Sequence, residues 1–440
     1  MDIALKPCFT HPVLNVMNFL NEVVLHYPQA ISFAPGRPAE QFFNVERYLE
    51  AIGHYVDHRT ATTGLSRDAV VNDLGQYSKT NGIIKDLIAR ELELDEKIRV
   101  PADSIVVTCG CQEAMMVLLG GLFEAGQDVL IAADPTYIGI TGLADILGIQ
   151  VLPVSSGENG VSPATLEQAI TAVRRRGLRP RAFYDVPDFS NPMGTSMPLE
   201  ARHQVLELAT RHEMLVFEDN PYGMFAYDGA PQPTLKSLDR EGVVVYLGTF
   251  SKTLCPGLRM GFLVADQTVT AADGSQTLLA VELSKVKSLT TVNTPPLLQA
   301  LVGGVLLDHG GSLQPLMADK IEFYRRNRDC MLEALGRHLG DLPGVRWNRP
   351  AGGFFLTVFL PFDFDDACLR RCAADYGVIC CPMSHFSLTS GRERQIRLSF
   401  SYVTPQTIEL GIERLSRFVR DQLAAGAAAA PNATVAQVSA

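Results

Sequence analysis

From about residue 100 the chain alternates short apolar runs rich in β-branched residues with longer amphipathic stretches. SIVVT (104–108), QDVLIAA (127–133), IQVLPV (149–154), RAFYDVP (181–187), MLVFED (214–219), GVVVYLG (242–248) and MGFLVAD (260–266) predict seven strands. Gln112–Glu124, Pro163–Arg176 and Leu199–His212 predict helices between them. Strands that are apolar almost throughout, separated by helices, imply a mostly parallel seven-stranded sheet covered on both faces, the α/β class. Ligands of such sheets bind beyond the carboxyl ends of the strands, so the residues just after each strand carry the most functional information. After about residue 310 the pattern changes to a long helix (315–339), the segment WNRPAGGFFLTVFLP (347–361), a helix near 364–376, QIRLSFSYV (395–403) and a last helix near 405–424. This predicts a smaller α+β domain from residues 1–60 and 315–424, beside a large domain from 61–314. Residues 425–440 have almost no bulky apolar side chain and are expected to be disordered, which leaves the Asn432 sequon without meaning. There is no internal repeat.

Composition narrows the function classes. With 38 basic and 48 acidic side chains the formal net charge is −10, so no domain-wide positive field exists for nucleic-acid binding. A chain that is 47% hydrophobic and 20% charged is not wholesale disordered. The first twenty residues carry one lysine and interrupting prolines, which does not read as a signal peptide, and no apolar run approaches the ~20 residues needed to cross a bilayer. A cytoplasmic protein is expected, with nine reduced cysteines. Cys109/Cys111, Cys368/Cys372 and Cys380/Cys381 lack zinc-site spacing, and His54 and His58 have no third ligand, so no metal is expected. The arginines at 174, 175, 176, 179 and 181 suit a helix C-terminus, and FDFDD (362–366) suits a helix start. No P-loop, dinucleotide fingerprint or nucleophile elbow is present.

The chemistry concentrates at strand ends. Lys252 follows a predicted strand, with Thr249 and Ser251 just before it and Arg259 seven positions on. Alone, such a lysine reads as a surface residue; among hydroxyls and an arginine it suits a phosphorylated cofactor bearing a carbonyl. Neighbouring positive charge and desolvation lower an amine's pKa and ready it for Schiff-base formation, while hydroxyls and arginine hold phosphate. Four other strand ends agree. After SIVVT a glycine turn opens a helix whose free amides suit an anion. Tyr137 can stack on a flat heteroaromatic ring. Asn191 and Tyr222 can reach a ring hydroxyl, and Asp219 can keep a pyridine nitrogen protonated.

The set ISFAPGRP (31–38), QYSKTNG (76–82), TCGCQEA (108–114), DPTY (134–137), SNPMG (190–194), EDNPY (218–222), GTFSKTLCPGLRMGF (248–262) and QIRLSF (395–400) resembles fold-type I pyridoxal-phosphate enzymes. Within them it is similar to class I aminotransferases of the aminoadipate and kynurenine group, in the right order over roughly residues 30–420, with Asn191, Asp219 and Lys252 at intervals of 28 and 33 residues. The resemblance implies pyridoxal 5′-phosphate as cofactor. It makes Lys252 the Schiff-base lysine and proton shuttle, Asp219 the partner of the ring nitrogen, and Asn191 and Tyr222 the partners of the ring oxygen. Tyr137 would stack on the ring, and Gly110, Cys111, Gln112, Thr249, Ser251 and Arg259 would hold the phosphate. Tyr77 would reach the phosphate of a neighbouring subunit in a homodimer. Arg397 would clamp the substrate α-carboxylate, with Gly36 leaving room for the substrate backbone and Asn191 beside it. The implied reaction is ping-pong amino transfer between an L-amino acid and a 2-oxo acid.

Departures from the family pattern bear on substrate. Cys111 replaces the usual serine of the phosphate turn, Met193 interrupts the usual NPTG, and CPMSHF (381–386) brings Met383 and His385 toward the expected substrate position. Phe33, Phe42, Phe43, Met193, Phe354 and Phe386 suggest an apolar to aromatic pocket, hence aromatic or arylglycine-type substrates, with 2-aminoadipate-like acids behind them. The same cofactor motifs also serve β-lyases, decarboxylases and oxidases. A ligand-sensing regulator built on the same domain would need an N-terminal DNA-binding module, for which the chain has no room before residue 30.

Overall fold

The computed structural model describes residues 3–11, 14, 16 and 23–429, with side chains to residue 425. At its centre lies an eight-stranded sheet in the spatial order Ile105–Thr108, Gly261–Val264, Val244–Thr249, Leu215–Asp219, Arg179–Asp185, Asp128–Asp134, Gln150–Gly157, Gly160–Val161. The seven expected strands are all present. The eighth, Gly160–Val161, is a two-residue antiparallel edge beside Gln150–Gly157, too short to leave a pattern in the sequence. The four pairings linking Gln150–Gly157, Asp128–Asp134, Arg179–Asp185, Leu215–Asp219 and Val244–Thr249 are parallel. Except in Gln150–Gly157, near the sheet edge, their side chains are buried almost throughout because helices cover both faces, which explains the continuous rather than alternating apolar runs.

Strand direction decides where the chemistry gathers. Gly261–Val264 is antiparallel to both of its neighbours, so Ile105–Thr108 points the same way as the parallel strands. The carboxyl ends at Thr108, Asp134, Asp185, Asp219 and Thr249 therefore lie along one side of the sheet. The reversed strand starts on that side, which is why Arg259 arrives just before it rather than after it.

A second sheet orders Arg346–Trp347, Phe355–Phe359, Gln395–Ser399 and Cys381–Pro382, all antiparallel. Helices Ala318–Leu339, Asp366–Tyr376 and Pro405–Ala429 pack around it. Asp365 accepts from the Cys368 amide at 2.8 Å, so the acidic run does start a helix. Ile31–Ser32 pairs with Val378–Ile379 in parallel, tying the start of the chain to this sheet. Helix Val45–Thr63 instead packs on Pro296–Asp308, and its Tyr48, Ala51 and Tyr55 share a core with Ile105, Val107 and Tyr246 of the large sheet. The last helix runs to Ala429 rather than ending at 424; residues 430–440, including Asn432, lie outside the described residues. Among the described residues no helix is long and apolar enough to cross a membrane.

Candidate active site

A cavity of about 490 Å³ opens at the carboxyl ends of the large sheet and is closed on its far side by residues of the second sheet. Every sequence-expected site residue lines it except Gly110 and Tyr77. Gly110 sits immediately behind the wall, in a left-handed conformation (φ 81°) that leads into helix Cys111–Leu122. A Cβ at Gly110 would collide with the guanidinium of Arg259, so the glycine lets that charge approach the free amides of the helix start. Tyr77 is 82% exposed and reaches no part of its own chain's cavity.

The turn before this helix is fixed from beneath. Glu113 accepts from the Cys109 amide at 2.6 Å, pairs with the fully buried Lys287 at 2.8 Å, and accepts from Thr290 at 3.0 Å and Thr291 at 2.5 Å. Burial opposes its ionisation, but the hydrogen bonds from Lys287, Thr291 and the Cys109 amide hold the Glu113 carboxyl below its ordinary value. The Cys111 thiol donates to the Gly248 carbonyl at 3.1 Å, and burial pushes its pKa far above the usual thiol range.

Lys252 lies three residues beyond strand Val244–Thr249, and its Nζ donates to the Gly36 carbonyl at 3.0 Å. Desolvation, then the nearby Arg397 charge, lowers its pKa to about 8, with Asp219 pulling the other way. Asp219 ends strand Leu215–Asp219. Its Oδ2 accepts from Tyr184 Oη at 2.7 Å, and Oδ1 is buried with no hydrogen-bond partner among the described residues. Burial raises its pKa to about 6, against the opposing Tyr184 hydrogen bond and the Lys252 charge. Tyr137, just before helix Ile138–Leu147, accepts from Gln112 Nε2 at 3.1 Å, and burial raises its phenol to about 12.

Arg397 rises from strand Gln395–Ser399 between two aromatic rings, with its guanidinium 4.4 Å from the Phe355 centroid and 4.5 Å from the Phe386 centroid. It donates to Asn191 Oδ1 at 2.7 Å and to the Ala34 carbonyl, while its buried Nε has no partner among the described residues. The Phe355 ring lies against Gly36, where any side chain would collide with it. Tyr222 is buried against Phe354 and Phe355, and the amine of Lys252 lies 6.0 Å from its ring centre.

The expected aromatic wall needs correction. Phe386 lines the cavity, but Phe33, Phe42, Phe43, Met193 and Phe354 do not, and Phe355 does. In the pair Phe354-Phe355 successive side chains face opposite ways: Phe354 packs into the core against Phe225 and Tyr324. Met193 is buried in that core. Met383 is fully buried and His385 binds Asp366 at 2.7 Å; neither lines the cavity. Tyr184 and Phe355 are not marked by any turn or motif in the sequence, and Arg37, although inside ISFAPGRP, has no expected role there. The histidine pair resolves simply: His54 contacts Asp308 at 2.6 Å, and no group of His, Cys, Asp and Glu among the described residues is arranged to hold a metal ion.

A fold with this sheet order, carrying a lysine, a buried carboxylate and two arginines around one cavity, defines a class that comparison makes explicit. Residues 72–415 match the family described as aminotransferase class I and II. The chain is 46% identical over 420 residues to the (S)-3,5-dihydroxyphenylglycine transaminase of Amycolatopsis orientalis, covering 96% of this chain and 94% of that one. Its fold superposes on the kynurenine aminotransferase of Pyrococcus horikoshii, solved with PMP, with a TM-score of 0.82 at 28% identity, covering 96% and 98% of the two chains. The α-aminoadipate aminotransferase of Thermus thermophilus, complexed with N-(5′-phosphopyridoxyl)-L-leucine, gives 0.75 at 30% identity, covering 92% and 95%. The chain belongs to the class I and II aminotransferases, with the fold-type I architecture, and is a transaminase.

Proposed function

We propose that this aminotransferase holds pyridoxal 5′-phosphate in the cavity and moves an amino group between an aromatic or arylglycine-type L-amino acid and a 2-oxo acid. The observation that carries the cofactor reading is Asp219, a residue of the cavity wall whose buried Oδ1 has no donor among the described residues, in a site that also brings Arg259 to a free helix N-terminus. Such a set fits a protonated pyridine nitrogen at one end and a phosphate at the other. Arg259, Thr249, Ser251 and the amides at Cys111 and Gln112 would hold the phosphate; Asp219 would hold the ring nitrogen; Asn191 and Tyr222 the ring oxygen; Tyr137 would cover one ring face. When bound, pyridoxal 5′-phosphate supplies a carbonyl to receive the amino group and a cationic ring to withdraw electrons from the substrate Cα. Lys252, with its lowered pKa, would hold the cofactor's carbonyl end, and its amine is placed to carry the proton of the substrate Cα. Arg397 takes the α-carboxylate and holds the substrate so that its Cα faces Lys252.

The aryl preference is supported by Phe355, Phe386, Ile138 and Val186 on the cavity wall, and by the arylglycine substrate named for the Amycolatopsis relative. Arg37, an exposed third guanidinium at the cavity, favours an acidic second substrate, such as a 2-aminoadipate-like acid. Exposed Tyr77 supports a homodimer in which it serves the neighbouring site. The nine unpaired thiols suit the cytoplasm. We assign residues 61–314 to a large unit and 315–424 with the chain start to a small one; the packing of Val45–Thr63 would move that helix to the large unit.

The test is a screen of amino donors (L-tyrosine, hydroxylated phenylglycines, L-2-aminoadipate, L-glutamate) against several oxo acids, followed by the cofactor spectrum. Aryl donors are expected to exceed aliphatic ones in kcat/KM by about 10- to 200-fold. No conversion with any donor would end the reading. A pH expectation follows from Lys252: its pKa is lowered, so the neutral amine is populated above about pH 8 and lost below it. Capture of added pyridoxal 5′-phosphate by cofactor-free protein, timed by stopped-flow absorbance, should accelerate through pH 8 and then level off.

A further inference from the structure

The loop after Phe386 is exposed, yet it is held to the large sheet by one buried side chain. Asp134, 1% exposed at the end of strand Asp128–Asp134, accepts from the Leu388 amide at 2.7 Å, from Ser387 Oγ at 2.7 Å and from Thr389 Oγ1 at 2.5 Å. Its own carbonyl accepts from Arg392 Nη2 at 3.2 Å, and that arginine also donates to the Ser156 carbonyl at 2.8 Å. Two residues on, the Thr136 amide donates to the Phe386 carbonyl at 3.0 Å. Residues 134–136 thus hold both ends of the arch 386–392. Just before the arch, His385 is tied to Asp366 on the other sheet's helix, so Phe386 sits where the two halves of the molecule meet.

We propose that Asp134 is the positioning residue for the Phe386 wall of the amino-acid pocket, and through that wall a determinant of substrate selectivity. Phe386 is 3% exposed, lines the cavity and covers one face of the Arg397 guanidinium. Asp134 itself does not line the cavity. It gathers three donors from three consecutive residues onto one carboxylate, which fixes the backbone that aims the ring. The same short segment ends in Tyr137, so Asp134 sets the spacing between the Tyr137 wall and the Phe386 wall. A loop without this anchor would leave Phe386 and one face of Arg397 unsupported, and binding would suffer more than chemistry.

The selectivity rests on the aryl-substrate reading above; the positioning role does not. The experiment uses the cofactor-loaded enzyme and the variants Asp134→Asn, Asp134→Ala and the double variant Ser387→Ala/Thr389→Val, which loosens the arch while leaving the buried carboxylate in place should Asp134→Ala fail to fold. Expected results are faster amide exchange in 386–392, KM for aryl donors raised ~10-fold or more with kcat within ~3-fold, and an unchanged cofactor spectrum. Asp134→Asn, which keeps one acceptor, should fall between wild type and Asp134→Ala. Unchanged exchange in 386–392, or equal losses of kcat for every donor including L-alanine, would overturn the proposal. A wild type that prefers acidic donors would sink the aryl reading alone, because KM for that preferred donor would still rise in the variants.

Discussion

Replacing Lys252 with alanine is expected to reduce amino transfer at least about 10³-fold, because the role proposed for it makes it both the proton carrier and the amine that would bind the cofactor carbonyl. The geometry makes substitution by solvent ineffective. Nζ is aimed by the Gly36 carbonyl at 3.0 Å, and its lowered pKa of about 8 keeps a useful share of neutral base near neutral pH. Steady-state rates and the visible absorbance of the loaded protein check this together: both should vanish while far-UV circular dichroism is unchanged. Turnover retained by the variant would refute the role given to Lys252.

Arg397→Ala is expected to lower kcat/KM for amino and oxo acids by about 2–5 kcal/mol, roughly 30- to 5,000-fold, mostly through KM. Two contributions add: the carboxylate loses its charged fork, and Asn191 Oδ1 loses its donor at 2.7 Å. Arg397→Lys should recover little, since the site between Phe355 and Phe386 suits a flat guanidinium and a lysine ammonium is neither planar nor bidentate. The decisive control is an arylalkylamine lacking the carboxylate. If the variant loses as much activity with that amine as with the amino acid, Arg397 is not the carboxylate clamp.

Much of this was legible in the chain because parallel sheets leave continuous apolar runs and place their functional residues directly after them. Thr108, Asp134, Asp219 and Thr249 each end a strand and each belongs to a motif. What stayed hidden depends on facing and on distance along the chain. The sequence does not say which of Phe354 and Phe355 turns to the cavity, because a one-residue slip in register exchanges them. Tyr184 reaches Asp219 from the neighbouring strand, 35 residues away, and nothing local marks it. Lys287 lies under the phosphate turn from a helix 174 residues beyond its partner Glu113. Asp134 was visible as part of DPTY, but its hold on residues 387–389 joins positions more than 250 apart.

Cys111 has a consequence for the charge state of the phosphate turn. On the proposed reading an acidic protein with a net charge of −10 would seat an anionic phosphate, and each negative group near that turn would oppose it. The two acidic groups of the turn itself, Glu113 and Cys111, are both silenced. The charge of Glu113 is answered by Lys287 at 2.8 Å, and the thiol of Cys111 keeps its proton because burial drives its pKa far up. Sulfur in place of a serine hydroxyl therefore adds no charge, and the protonated thiol is a poor nucleophile toward alkylating agents and peroxide. The turn combines an uncharged sulfur and a cancelled carboxylate with the cation of Arg259.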